Sequence, residues 1–176
     1  MKELLVLGAE GSGKSLLIRR IKEVSEGKFV QDSANEYTIP TTGVEIVNVE
    51  PSSELSYNIR EIGSAISSRW ENYLADCCGL VFTIDVSDIG SLSSAMVLLH
   101  HEILNNKSLM KSRPILLAFT KTDCAPANAV AIAKNFLRLE DLLFQWSNMK
   151  ITSGSCIDKS LAGSVISWLE SEKVVD

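Results

Sequence analysis

The stretch GAEGSGKS at residues 8–15 follows the apolar run LLVL, close to the start of a chain of 176 residues. It fits the spacing GxxxxGK[ST] in full, at Gly8, Gly13, Lys14 and Ser15. Between a strand and a helix, such a loop turns backbone N–H groups toward an anion, and the helix N-terminus adds positive potential. The stretch therefore predicts a phosphate-binding loop, in preference to a glycine turn that only links a strand to a helix.

The side chains of this loop have distinct expected roles. We expect Lys14 to reach the β- and γ-phosphates of a nucleotide and the Ser15 hydroxyl to coordinate Mg²⁺. The other residues of the loop that are predicted to contact phosphate are Glu10, Gly11, Ser12 and Leu16. The next charged stretch, RRIKE at residues 19–23, is expected to form a solvated face of the first helix.

The composition limits the class of protein. Hydrophobic residues make up 45% and charged residues 22%, as in ordinary globular proteins, and 176 residues suit one domain over residues 1–176. A net charge of −5 argues against a general attraction to nucleic acid. The apolar runs are far shorter than the roughly 20 residues of a membrane span, and no lipid-anchor motif is recognised. Four cysteines without metal-ligand spacing indicate a reducing compartment. We expect a cytoplasmic monomer.

Short Val/Ile/Leu runs alternate with longer helix-period stretches, which is the pattern of an α/β fold with a parallel sheet. Strands are predicted at residues 3–8, 44–50, 55–62, 79–86, 113–120 and 149–153, and the second and third form an antiparallel hairpin. Helices are predicted at residues 14–24, 67–77, 91–106 with Ser91 as N-cap, 127–143 and 161–172, and a long loop at 26–43. The result is a six-stranded, mostly parallel sheet with helices on both faces and a ligand at the carboxyl ends of its strands.

A second motif, FTKTD at residues 119–123, closes a predicted buried strand and resembles the [NT]KxD motif of guanine-nucleotide-binding proteins. The Asp123 carboxylate can accept two hydrogen bonds from guanine donors, a pattern that adenine cannot offer. Lys121 would lay its aliphatic stem over the base, and Thr120 completes the motif. At the end of the last strand, one of Ser153, Gly154 or Ser155 could offer a backbone N–H to the guanine carbonyl.

Together these motifs resemble the small GTPases of the Ras superfamily over essentially the whole chain, and most closely the ADP-ribosylation factor (Arf) and Arf-like branch. The stretch IPTTG resembles the first-switch PTxG of that branch, which makes Thr41 the second Mg²⁺ ligand and the γ-phosphate sensor. RWENY resembles its second switch, and VISWL its last helix. The resemblance implies a P-loop G-domain that binds GTP or GDP with Mg²⁺. It also implies effectors and regulators that bind the switches, in membrane or ciliary traffic.

The second switch departs from the family pattern DxxGQ, because it reads REIGSA. If Glu61 takes the place of the Asp, Ser64 replaces the glycine and Ala65 the glutamine. If Arg60 takes that place, Gly63 is kept and Ser64 replaces the glutamine. Gly63 and Ser64 are therefore both candidate phosphate contacts. Neither alignment keeps a side chain that orients the attacking water as Gln does, which predicts slow or partner-dependent hydrolysis. The alternative is that the longer carboxylate still reaches the Mg²⁺ shell through water, while a partner supplies the missing group.

Other departures concern partners and class. Where Arf-like proteins often carry aromatic residues, this chain has Val44, Arg60 and Tyr73, so two rings are lost and a charge is gained. Partners that bind this surface through aromatic anchors are therefore not expected. The lipidated N-terminal helix typical of Arf proteins is not recognised, and membrane contact is expected only through partners. A pseudo-GTPase scaffold is favoured by the lost switch residues and opposed by the intact phosphate loop, Thr41 and Asp123. A P-loop kinase is disfavoured because no arginine-rich lid segment is seen.

Overall fold

The computed structural model describes residues 2–29, 38–52 and 55–172. Part of the predicted loop at 26–43 lies outside the described residues, as does part of the predicted hairpin turn. Within the described parts, the fold is a sheet of six strands covered by helices. The strands are β1 (Lys2–Gly8), β2 (Val44–Ser52), β3 (Leu55–Ile62), β4 (Gly79–Asp85), β5 (Ile115–Thr120) and β6 (Met149–Ser153).

The strand order is β2-β3-β1-β4-β5-β6. β2 pairs antiparallel with β3, and every other pair is parallel. All residues of β4 and β5 are buried, as expected for central strands of a parallel sheet that is covered on both faces. The predicted mostly parallel sheet with one antiparallel strand is confirmed.

Seven α-helices lie in the described residues: α1 (Lys14–Ser25), α2 (Glu71–Leu74), α3 (Ile89–Leu98), α4 (Lys107–Met110), α5 (Ala129–Phe136), α6 (Leu139–Gln145) and α7 (Ser160–Glu172). A 3₁₀ segment (Ser64–Arg69) precedes α2, and a π-helical segment (Leu99–Leu104) continues α3. Apolar side chains of α1 and α7 pack on one face of the sheet. Those of α3, α5 and α6 pack on the other.

Three predicted helix features are wrong. The helix predicted at 127–143 is two helices, because Arg138 adopts the left-handed conformation with φ 49°. The helix predicted at 67–77 is a 3₁₀ segment followed by one turn of α-helix. Ser91 is not the N-cap of α3: Asp88 is, since its carboxylate accepts the Ser91 backbone N–H at 2.9 Å. A carboxylate that satisfies an unpaired N–H of the first turn is a strong cap.

Candidate functional site

The loop between β1 and α1 is shaped by glycines that other residues could not replace. A Cβ on Gly8 would lie 2.4 Å from the Thr83 hydroxyl and 2.5 Å from the Thr83 carbonyl oxygen. Gly13, which caps α1, has φ 88°, a left-handed conformation that side chains rarely adopt. The loop therefore needs glycine at the two positions that define the motif.

Hydrogen bonds fix this loop to the neighbouring strands. The Ser12 hydroxyl contacts the Thr83 hydroxyl at 2.6 Å, and Thr83 donates to the Leu7 carbonyl at 3.2 Å. The Thr120 hydroxyl donates to the Ser12 carbonyl at 2.8 Å. Ser12 and Thr120 are thus buried behind the loop as its supports. Thr120, the first residue of the TKTD motif, ties the predicted base-binding strand to the phosphate loop.

Lys14 points back over the loop. Its ammonium donates to the carbonyl of Gly8 at 3.1 Å and to that of Ala9 at 2.8 Å. Burial lowers the pKa of Lys14 below its ordinary value, and the negative charges of Glu61 and Glu10 oppose that shift. An ammonium group held by loop carbonyls can exchange those partners for phosphate oxygens.

Three oxygens converge beside the start of α1. The hydroxyls of Ser15 and Thr41 both donate to the same Glu61 oxygen, Oε1, at 2.8 and 3.0 Å, and they lie 3.4 Å from each other. Arg60 leaves β3 on the other side, where it pairs with Glu3. The contacts therefore match the alignment with Glu61 in place of the family Asp, Ser64 in place of the glycine and Ala65 in place of the glutamine.

Gly63, in the stretch REIGSA, contacts the backbone of the stretch IPTTG. Its N–H donates to the Gly43 carbonyl at 2.9 Å. A Cβ on Gly63 would lie only 2.0 Å from the Thr41 carbonyl oxygen. Trp70, fully buried, donates from its indole to the Gly63 carbonyl at 3.4 Å. The segment around Thr41 thus lies directly on the backbone of residue 63.

A cavity of about 320 Å³ opens between these segments. Its lining includes the predicted residues Glu10, Gly11, Gly13, Lys14, Ser15, Leu16, Thr41, Ser64 and Lys121. It also includes Glu61 and Ala65, which the alignments of REIGSA had named, and Thr38, Ile39, Pro40 and Thr42, which were not predicted. These four lie within three residues of Thr41, so proximity in sequence could have found them. The volume is within the range of small-molecule sites.

The second predicted cluster surrounds Asp123. The Ser155 hydroxyl donates to one Asp123 carboxylate oxygen, and the Cys124 thiol contacts the other at 2.9 Å. Burial raises the pKa of Asp123, but these hydrogen bonds outweigh it and the pKa lies below its ordinary value. Asp123 is therefore a carboxylate at neutral pH. Among the three candidate N–H groups of this loop, that of Gly154 donates to the Phe119 carbonyl at 3.0 Å and that of Ser155 to the Ser160 hydroxyl at 3.4 Å, while Ser153 ends β6.

Lys121 connects the two clusters. Its backbone is left-handed, with φ 59°, and its ammonium pairs with the Asp85 carboxylate at 2.6 Å. Lys121 lines the cavity and lies two residues from Asp123. The pairing with a buried carboxylate fixes the long side chain along the path between the phosphate loop and the Asp123 cluster.

Arg20 corrects the expectation of a solvated helix face. Its side chain is only 1% exposed, and Nε donates to the Cys156 carbonyl at 3.0 Å. The guanidinium also pairs with Glu23 at 2.7 Å and lies 5.2 Å from the Phe29 ring centroid. Arg20 thus joins α1 to the loop that carries Ser155. No local sequence signal separates it from the other charged residues of RRIKE.

The oxygens of Ser15, Thr41 and Glu61 are hard ligands of the type that Mg²⁺ prefers, so the residues present fit this cation. The described ranges contain no group of three or more His, Cys, Asp and Glu side chains that could hold another metal. Within those ranges, no helix is both long and apolar enough to cross a membrane.

Val44, Arg60 and Tyr73 stand at the positions where Arf-like proteins often carry aromatic residues. Val44 is 41% exposed and its neighbour Ile46 is 54% exposed on β2. The Arg60 guanidinium lies 5.3 Å from the centroid of the Tyr73 ring, which occupies that ring with a cation–π contact. The surface therefore presents aliphatic side chains and a charge.

Comparisons with known proteins identify the family of this chain. The sequence model of the ADP-ribosylation factor family matches residues 1–173. ADP-ribosylation factor-like protein 16 of Homo sapiens is 30% identical over 169 residues, covering 94% of this chain and 83% of the human protein.

Two further comparisons cover most of the chain. ADP-ribosylation factor-like protein 1 of Saccharomyces cerevisiae is 28% identical over 172 residues, covering 94% of this chain and 84% of the yeast protein. The structure of the Arl6 small GTPase from Trypanosoma brucei, with the nucleotide analogue GppNp, superposes with a TM-score of 0.72 and 21% identity. It covers 97% of this chain and 95% of that one. This chain therefore belongs to the ADP-ribosylation factor family, as an Arf-like small GTPase with the P-loop G-domain fold.

Proposed function

We propose that this protein is a GTP/GDP-binding switch that requires Mg²⁺ and acts through nucleotide-dependent binding of partners. The observation that supports this most is the junction of three parts at one edge of the sheet. These parts are the phosphate loop, the oxygen cluster of Ser15, Thr41 and Glu61, and the Asp123 cluster, joined by Lys121. A guanine nucleotide with its cation would use all three parts.

Each part has a task when nucleotide binds. The loop N–H groups and Lys14 hold the phosphates, because they place positive charge where the anion lies. Asp123 selects guanine through its two hydrogen bonds, and Ser155 orients that carboxylate. Ser15 and Thr41 would hold Mg²⁺, which would offset the negative charge of the phosphates. Thr41 thereby connects the first switch to the nucleotide.

Hydrolysis is slow in this proposal unless a partner supplies a group. Ala65 lines the cavity where the family has glutamine, and its methyl group can neither accept a hydrogen bond from water nor donate one. The expected result is little phosphate release in a single-turnover assay without partners. Substitution of Ala65→Gln should raise that rate by about tenfold or more. An unchanged rate would show that Ala65 is not the cause.

A scaffold without a nucleotide cycle is the second candidate, because Ser64 and Ala65 both replace switch residues. The two functions are separated by identifying the nucleotide that copurifies with the protein and by thermal melting in Mg²⁺. We expect GDP and GTP, but not ADP or ATP, to raise the melting temperature. Lys14→Ala should abolish the shift, whereas Lys134→Ala on the exposed surface of α5 should keep it. Equal stabilisation by ATP, or no response to any nucleotide, would refute the proposal.

We further propose that the switch serves membrane or ciliary traffic as a cytoplasmic protein recruited by partners. Family membership supports this. In cells, tagged wild-type protein should reach a membrane or ciliary compartment, and the Lys14→Ala variant should remain diffuse. Identical distributions would contradict a nucleotide-dependent role there.

A further inference from the structure

Glu61 reaches further into the site than the aspartate of the family pattern would. The pairing of β1 with β3 fixes its backbone opposite Val6, beside the phosphate loop. From there, one additional methylene carries the carboxylate about 1.5 Å farther. The residue is only 2% exposed, and both neighbouring hydroxyls donate to the same carboxylate oxygen.

The spacing of the three oxygens is close to that of a metal coordination shell. Mg²⁺ binds oxygen at about 2.0–2.1 Å in near-ideal octahedral geometry, which places neighbouring ligand oxygens about 2.9 Å apart. The separations among Ser15 Oγ, Thr41 Oγ1 and Glu61 Oε1 are 2.8, 3.0 and 3.4 Å. The two separations that involve Glu61 Oε1 match that edge, and the two hydroxyl oxygens need to approach each other by only about 0.5 Å to complete one triangular face of an octahedron.

We infer that Glu61 binds the cation directly, as a third protein ligand beside Ser15 and Thr41, in place of a water molecule. The inference rests on the proposed function, since it concerns the cation that accompanies the nucleotide. It has two measurable consequences. The bound cation carries one water fewer than in a variant whose side chain cannot reach it. The affinity for the cation also depends on the length of the side chain at position 61.

The test uses Mn²⁺ and a non-hydrolysable GTP analogue with the full chain. Binding of the analogue is measured first by calorimetry. The water ligands of the bound Mn²⁺ are then counted from the broadening of its electron paramagnetic resonance signal in ¹⁷O-enriched water. We expect both Glu61→Ala and Glu61→Asp to gain one water relative to the wild type. In parallel, both should need at least tenfold more Mg²⁺ to slow nucleotide release.

Glu45 offers a matched control. It lies opposite Glu61 on β2, so the two side chains share a face of the sheet, but Glu45 is exposed. Glu45→Ala removes the same charge nearby and should leave the water count unchanged. If the Glu61 variants bind the analogue with the wild-type count, the carboxylate only accepts the hydroxyl protons from outside the shell, and the inference is wrong. If the wild type binds no guanine nucleotide, the proposed function fails and the inference fails with it.

Discussion

Substitution of Asp123→Asn tests base selection most directly. The carboxylate would accept two hydrogen bonds from guanine, and hydrogen bonds to charged groups contribute about 1.5–3 kcal/mol each. Asp123 is exposed, so screening by solvent favours the lower end of that range, about 3 kcal/mol for the pair. We therefore expect GDP to bind about 10²-fold more weakly. Xanthine nucleotides should gain, because their second carbonyl accepts a hydrogen bond from the new amide.

Titration of fluorescent GDP and XDP analogues measures both affinities at fixed Mg²⁺. Asp158→Asn removes the same charge from the neighbouring loop and should keep the wild-type preference for GDP. Ser155→Ala removes the hydroxyl that orients the carboxylate, so it should weaken both nucleotides by about tenfold or less without reversing the preference. If Asp123→Asn weakens GDP and XDP equally, the residue supports the loop rather than reading the base, and the reasoning is refuted.

Three further predictions concern the frame of the site. Gly63→Ala should displace the segment around Thr41, because the new Cβ would lie 2.0 Å from the Thr41 carbonyl oxygen. Faster amide hydrogen exchange in that segment would show the displacement. Gly43→Ala, whose Cβ would meet open space, should leave the exchange rates unchanged. Arg20→Met should speed GDP release by about tenfold, since one hydrogen bond to a charged donor holds the Cys156 carbonyl, and an unchanged release rate would exclude this tie. Burial raises the pKa of Cys156 from 9.0 to about 12, so the thiol contributes stability that is complete below pH 9 and is lost as pH rises toward 12. Between pH 9 and 11 the wild type should lose about 2 kcal/mol more unfolding free energy than Cys156→Ala in urea titrations, and equal slopes would contradict the burial argument.

Local patterns were enough for the phosphate loop and for the sheet. The glycine spacing at residues 8–15 reports backbone conformations that only glycine adopts, and the alternation in β2 and β3 reports a hairpin. Local patterns failed where one continuous helix and two shorter helices fit the same residues about equally well. The helix predicted at 127–143 breaks at Arg138, although nothing in its side chain favours a left-handed backbone.

The sequence by itself determined that the chain carries a phosphate loop, a guanine-type TKTD motif and a mostly parallel sheet, because each is written in residues close together along the chain. Only the tertiary structure brought Glu61 to the hydroxyls of Ser15 and Thr41, 46 and 20 residues away, and these contacts favour one of the two alignments of REIGSA. It also buried Arg20, which donates a hydrogen bond to the carbonyl of Cys156, 136 residues away. The physical reason is that strand pairing sets which face of β3 each side chain occupies, and that pairing depends on segments far apart in sequence.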